Sequence, residues 1–230
     1  INSFNISGVY ILQDSTMYAF GTPGMIYRST DSGNSWNQVP PNGLFSQVFA
    51  ASVTNEDMFW VTADSVLIYN STNLGGSWNV VFREYITKEH LNSVFFTDNI
   101  NGFACGERGI LLRSTNGGSN WIVSNLGTNY SFKDIKFVNG QTGFISGWNT
   151  FPNGVIFKTT NGGGNWQAVY SDSSQLNSIH FINSVTGWAA GNSGYYLVTT
   201  NSGSSWVRSR YENLNIEEIC FINSSTGFIG

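Results

Sequence analysis

Leu112-Arg113-Ser114-Thr115-Asn116-Gly117-Gly118-Ser119-Asn120-Trp121 is the stretch on which the fold turns. An apolar approach, two hydroxyl residues, an Asn, a Gly pair and a closing Trp describe a strand that enters a tight turn and leaves beneath a large apolar anchor. The same run recurs as YRSTDSGNSW (Tyr27 to Trp36), YNSTNLGGSW (Tyr69 to Trp78), FKTTNGGGNW (Phe157 to Trp166) and LVTTNSGSSW (Leu197 to Trp206). The closing residues Trp36, Trp78, Trp121, Trp166 and Trp206 stand 42, 43, 45 and 40 residues apart. Such a period marks a repeat architecture.

A second run alternates with the first: SVFFTDNINGFACG (Ser93 to Gly106), DIKFVNGQTGFISG (Asp134 to Gly147), SIHFINSVTGWAAG (Ser178 to Gly191) and EICFINSSTGFIG (Glu218 to Gly230), with looser versions at Val9 to Gly21 and around Val48 to Thr62. Each run reads as two short strands joined by a polar reversal, so one repeat of about forty-three residues holds four antiparallel strands. A unit of that size cannot bury both sheet faces alone, and stacked copies must cover one another. Four-stranded sheets set radially around a channel satisfy both the period and the strand count. The fold class is therefore all-β, a β-propeller of five full repeats plus half a blade, expected to be part of a six- or seven-bladed ring and to form one domain over residues 1–230.

Each position of the turn has a mechanical role. Asp31, Asn73, Asn116, Asn161 and Asn201 are expected to accept backbone N–H groups inside the turn. Gly33, Gly75, Gly118, Gly163 and Gly203 supply positive φ. The Trp is expected to anchor the loop to its own blade, its indole N–H reaching a nearby carbonyl.

With these residues in view, STDSGNSW (Ser29 to Trp36) resembles the Asp box, or BNR repeat, of sialidase-type propellers. The longer unit Phe96 to Trp121 resembles the repeat of the Ycf48-like family, the photosystem II assembly and stability factors with their secreted bacterial relatives. The likeness runs over nearly the whole chain. It implies a seven-bladed ring with the boxes on the turn between the two outer strands, away from the ligand face. It speaks to fold more than to function, because sialidases, xyloglucanases and sortilin-type receptors share the box. The sequence departs from the pattern in carrying Asn in four of five boxes, in having Ala63-Asp64-Ser65 in place of the Gly-x-x-Gly turn, and in stopping in mid-blade over Glu217 to Gly230. The intact protein is expected to continue past Gly230, and Ile1 opens neither a signal peptide nor a Met start, so the chain is expected to be processed or a fragment.

Composition excludes several function classes. Charged residues make up 10% and the net charge is -4, which leaves no basic stripe for phosphates, and nucleic acid is not an expected partner. No apolar run spans a membrane. Cys105 and Cys220 are expected as free thiols, buried or half-buried, and with only His90 and His180 beside them no metal or other cofactor is expected. Abundant Asn, Ser and Gly with little charge point to a secreted, periplasmic or extracellular location.

A sialidase-like active site would resemble its family only with three converging arginines, a Tyr nucleophile with its Glu partner, and an Asp acid/base. Of Arg28, Arg83, Arg108, Arg113, Arg208 and Arg210, the first and fourth recur beside the box with Lys158 in the same place, which marks a repeated strand-surface position. No motif singles out a glycosidase pair among Asp57, Asp64, Glu84, Glu89, Glu107, Asp134, Asp172, Glu217 and Glu218, and Asp134 and Glu218, at matching strand starts, are expected to face solvent. No catalytic residue is assigned.

The residues that break the repeat are more informative. Between Gly147 and Val155 a longer loop carries Trp148 and Phe151 where the preceding repeat has only Glu107-Arg108-Gly109. By strand order this loop emerges opposite the boxes. Its two rings either offer a surface for a sugar or an apolar protein anchor, or fold back over the blade. The same face should receive Arg83, Glu84, Tyr85, Lys88 and His90 from one connector, Arg108 from a short turn, and Arg210 with Tyr211 from another connector. The expectation is a non-catalytic extracytoplasmic scaffold that binds a protein or a cell-surface partner through Trp148, Phe151, Arg108, Arg83, Tyr85, Arg210 and Tyr211. The alternatives are a glycan-binding or glycoside-hydrolase propeller, and the photosystem assembly role that the resemblance implies.

Overall fold

The computed structural model describes residues 5–12, 15–39, 47–54, 58–64, 66–83, 89–127, 129–149, 151 and 153–230. It is all-β, with five four-stranded antiparallel blades in a propeller arrangement. The first blade is β1 (Asn5–Ile11), β2 (Met17–Thr22), β3 (Met25–Ser29) and β4 (Asn37–Val39); the second is β5 (Val48–Val53), β6 (Phe59–Ala63), β7 (Leu67–Ser71) and β8 (Asn79–Arg83). The third is β9 (Leu91–Phe96), β10 (Gly102–Gly106), β11 (Ile110–Ser114) and β12 (Ile122–Asn125); the fourth is β13 (Tyr130–Phe137), β14 (Gly143–Asn149), β15 (Gly154–Thr159) and β16 (Gln167–Asp172). The fifth is β17 (Leu176–Phe181), β18 (Gly187–Gly191), β19 (Tyr195–Thr199) and β20 (Val207–Arg210), and a two-stranded sheet of β21 (Ile219–Asn223) and β22 (Thr226–Ile229) follows. Strands pair in chain order within every sheet, as hairpins joined by short turns require.

The chain divides into two compact units, residues 1–104 with 112–122 and residues 105–111 with 123–230. In each unit the core lies between successive sheets. Tyr18, Phe20, Ile26, Val48, Phe59 and Val61 pack together in the first. Phe144, Ile156, Leu176, Ile179, Ala189 and Leu197 do so in the second. β18 is buried throughout and β14 over its first five residues, and the runs that begin Gly143-Phe144 and Gly187-Trp188 read as continuous apolar stretches because neighbouring sheets cover them. Where β18 ends, a Cβ on Gly191 would run into the Gln175 carbonyl, which explains the Gly that closes the second repeated run.

Side chains of β13 and β17 tie each of these innermost strands to the next blade. Asp134 Oδ2 accepts the Ile179 N–H at 3.2 Å and pairs with Lys136 at 3.2 Å. The solvent-facing role expected of Asp134 is thereby corrected: its side chain is 13% exposed and holds the neighbouring strand. Glu218 does face solvent. Ser178 Oγ accepts the Ile219 N–H at 3.3 Å, and His180 Nε2 lies 2.9 Å from the Phe221 carbonyl oxygen. Burial holds His180 below its ordinary pKa, as for any imidazole whose charged form loses hydration. Both cysteines are free; Cys105 is buried, whereas Cys220 is exposed rather than half-buried, because nothing among the described residues covers that face of β21.

Candidate binding face

The boxes come first, because they hold the outer strands in place. The Asx carboxamide or carboxylate oxygen accepts the N–H four residues on in all five turns: Ser35 to Asp31 at 2.8 Å, and Ser77, Asn120, Asn165 and Ser205 to Asn73, Asn116, Asn161 and Asn201 at 2.9 Å. The expected glycines have φ of 87°, 82°, 80°, 77° and 71° at Gly33, Gly75, Gly118, Gly163 and Gly203. The hydroxyl two positions before the Asx also carries the turn. Ser29, Ser71, Ser114, Thr159 and Thr199 are buried, and each donates to the Asx oxygen while accepting the box Gly N–H at 2.8–3.0 Å. Its presence in all five boxes was a readable signal. Thr159→Val should destabilise the second unit by about 1–3 kcal/mol, the usual cost of orphaning a buried donor and acceptor, and Thr159→Ser should restore it; urea unfolding checks both.

The tryptophans are only partly as expected. Trp36 Nε1 donates to the Gly33 carbonyl at 3.0 Å. Nε1 of Trp121, Trp166 and Trp206 is buried with no partner among the described residues. Those rings turn edge-on to Phe96, Phe137 and Phe181 instead, at interplanar angles of 88°, 84° and 81°. Ring packing outweighs the indole bond there.

The first box differs in being ionised. Hydrogen bonds from the Ser35 hydroxyl and N–H and from the Ser29 hydroxyl hold the Asp31 carboxyl down at about 2. A carboxyl lowered on folding stabilises above its unfolded pKa, and this contribution fades as pH falls from about 4 toward 2. An NMR titration should show this box intact at pH 4 and loosening near pH 2, with no such step at the four Asn boxes.

Turns opposite the boxes, within the second unit, form the candidate face. Arg108 is exposed at the centre of the turn Glu107–Gly109, with φ 53°, and its carbonyl accepts Asn125 Nδ2 at 2.9 Å. Ser193 repeats that conformation at φ 59° in the turn Asn192–Gly194. Arg210 grips this turn: Nε donates to the Ser193 carbonyl at 3.0 Å and Nη2 to Asn213 Oδ1 at 2.7 Å. Tyr211 follows it, 54% exposed, with its N–H on the Gly194 carbonyl at 2.9 Å.

Beside them a chain of polar contacts escaped sequence reasoning. Arg208 stacks on Tyr195 with Cζ 3.7 Å from the ring centroid and pairs with Asp172 at 2.9 Å, while Tyr170 donates to Asp172 at 2.9 Å. The Ser173 N–H, followed by Tyr170 and Arg208, holds the Asp172 carboxyl below its ordinary range, and burial together with Asp172 pushes the Tyr170 phenol up. No periodicity pointed to this group, since Tyr170 and Asp172 lie on one blade and Tyr195 and Arg208 on the next.

The longer loop is corrected in part. Its flanks are strand: β13 to β14 pairing runs on to Ser131 with Trp148 and Tyr130 with Asn149, and Trp148 also pairs with Gly154. Trp148 is therefore a half-buried strand residue rather than a loop residue. Phe151 alone projects, 74% exposed, at the tip. The tip is closed by the Asn149 N–H on the Asn153 carbonyl at 3.0 Å and by the Asn153 N–H on the Phe151 carbonyl. Arg83 ends β8 in the first unit, and Tyr85, with Glu84 and Lys88, lies outside the described residues. The second unit thus carries Trp148, Phe151, Arg108, Arg210 and Tyr211 of the expected set.

Lys158, at the repeated basic position, donates to the Ser202 carbonyl of the next box at 2.6 Å, a structural role. Among the described residues no group of three or more His, Cys, Asp or Glu is placed to hold a metal ion. No helix among them is long and apolar enough to cross a membrane.

Comparison with known proteins agrees with this architecture. Residues 114–217 match the family model described as photosynthesis system II assembly factor YCF48. A search of curated proteins finds no match. Among solved structures, YCF48 from Cyanidioschyzon merolae is 20% identical, with 98% of this chain and 79% of that one covered at a TM-score of 0.76. A YCF48 bound to D1 peptide is 14% identical, with 98% and 90% covered at 0.55. An ancestral GH74 enzyme is 22% identical, with 90% of this chain and 31% of that one covered at 0.73. At such identities the structural likeness carries the fold alone. The chain is an Asp-box (BNR) repeat β-propeller that resembles the Ycf48-like family.

Proposed function

We propose that this chain is a non-catalytic binding propeller that holds a protein partner outside the cytoplasm through the turn-rich face of its second unit. The observation that carries the reading is Phe151: a large apolar ring, 74% exposed, on a tip closed by backbone hydrogen bonds at the end of a paired hairpin. A rigidly presented aromatic loses little entropy on binding and is the kind of side chain that anchors an interface. Arg108 and Tyr211 add exposed polar and aromatic surface on turns that are themselves pinned.

Two considerations favour a polypeptide over catalysis or a glycan. Two carboxylates of the second unit are engaged structurally, Asp172 by Arg208 and Tyr170, and Asp134 by the next strand, which leaves neither as a poised acid. One structural neighbour is described as YCF48 bound to D1 peptide, a propeller of the same fold with a peptide ligand. The extracytoplasmic location rests on low charge, 10% of residues, with abundant Asn, Ser and Gly.

A peptide array probed with wild-type protein and with Phe151→Ala, alongside electrophoresis through polysaccharide gels, tests the reading. Phe151→Ala should weaken peptide binding tenfold or more while leaving unfolding within about 0.5 kcal/mol, as for exposed residues generally. Peptide binding that Phe151→Ala leaves intact removes the site. Retardation in a glycan gel that the variant abolishes transfers the face to carbohydrate.

A further inference from the structure

In the outer hairpin of the first blade Arg28 of β3 lies directly opposite Asn37 of β4, and in that of the fourth Lys158 of β15 lies opposite Gln167 of β16. Residues paired in this way share a sheet face, so each cation stands beside a carboxamide. The same wall carries Thr30 and Val39 in the first blade and Thr160 and Val169 in the fourth. Two other blades break the pair, the second with Asn70 opposite Asn79 and the fifth with Val198 opposite Val207. A basic residue facing a carboxamide is thus a feature of the first and fourth blades and not a demand of the fold.

Each of the two pairs lines a groove whose far side is the box of the following blade. In the first unit the groove has a volume of about 360 Å³ and ends on Leu74 and Gly76. In the second it has about 410 Å³, ends on Gly203 and Ser204, and has Trp166 on its side. Neither lining contains an Asp or a Glu. Arg28 Nε is buried with no hydrogen-bond partner among the described residues. Lys158 Nζ donates once, to the Ser202 carbonyl at 2.6 Å, and an ammonium has two further N–H groups to give. Both cations are half-buried, so each has lost hydration that an anion entering its groove would replace with a charge-assisted hydrogen bond.

We propose that these two grooves, on the box side and apart from the turn-rich face, each bind an acidic sugar residue of the uronate type. The cation takes the carboxylate, the carboxamide and the Thr hydroxyl take ring hydroxyls, and the Val, joined by Trp166 in the second unit, meets the C–H face of the ring. The volumes lie at the low end for small-ligand sites and suit a monosaccharide unit. A net charge of -4 repels a long polyanion, so the fit is to an acidic residue standing among neutral ones. An acidic peptide side chain reaches the cation but leaves the carboxamide and hydroxyl of each wall unmatched.

Methyl galacturonide titrated into isotope-labelled protein, with the amide signals followed by NMR, tests this. Saturable ligand-induced shifts are expected at Leu74 and Gly76 and, separately, at Gly203 and Ser204. Methyl galactoside, which has a hydroxymethyl group in place of the carboxylate, should bind at least tenfold more weakly at both grooves. Arg28→Met should remove the first set of shifts and keep the second, and Lys158→Met should do the reverse, so the surviving set shows that each variant is folded. Gln167→Ala, an exposed change on β16, should weaken the second groove alone. Phe151→Ala should leave both sets in place. Absence of saturable shifts, equal binding of methyl galactoside or of acetate, tighter binding of a glutamate tetrapeptide, or shifts that persist in a groove whose cation has been replaced would overturn the proposal.

Discussion

Phe144→Ala lowers the stability of the second unit by about 3–5 kcal/mol, the range for a large aromatic removed from a closed core. Phe144 is fully buried, stacks on Phe181, meets Trp206 edge-on, receives Gly203 against its ring and has Lys158 Nζ 5.6 Å from its centroid. Its neighbours come from both sheets and from a box, so none can collapse into the space without dragging a strand with it. Urea unfolding followed by tryptophan fluorescence checks the midpoint. A loss under about 1 kcal/mol would mean that the stacked rings tolerate a void that the packing gives no means of closing.

Gly203→Val acts on the same contact from the other side and should cost about 2–5 kcal/mol. Gly203 has φ 71°, a region costly to any β-branched residue, and its Cβ would enter the Phe144 ring, so backbone strain and overpacking add. Gly140→Ala is the control: a Cβ there meets nothing within 4 Å, and the change should stay within about 0.5 kcal/mol. Equal effects at the two positions would show that the box glycine is chosen for its turn alone and not for the ring beneath it.

The repeat was legible because its strongest signals are local. Asx, Gly and Trp lie within six residues of one another, and a turn's needs are written in the residues that make it. What was missed depends on partners far along the chain. Trp148 reads as loop because the Gly at 147 ended the repeat, yet β13 continues the pairing two residues further, and only the partner strand decides that. Asp134 reads as a strand-end acid facing water, whereas the N–H it accepts lies 45 residues away. The Arg208 pairing with Asp172 likewise joins separate blades. The Ser or Thr of the box is the exception: it was legible, being a hydroxyl at one position in all five turns, and was passed over for the more familiar Asx and Gly.

The side-chain ties between innermost strands, from Asp134 to Ile179, from Ser178 to Ile219 and from His180 to Phe221, join neighbouring blades of the second unit. A structure wired this way behaves as a chain of nearest-neighbour couplings, in which cooperativity is graded along the sequence instead of shared by the whole. Within the second unit the coupling of β17 to β21, through two side-chain ties, and that of β13 to β17, through one, then open one after the other and not together.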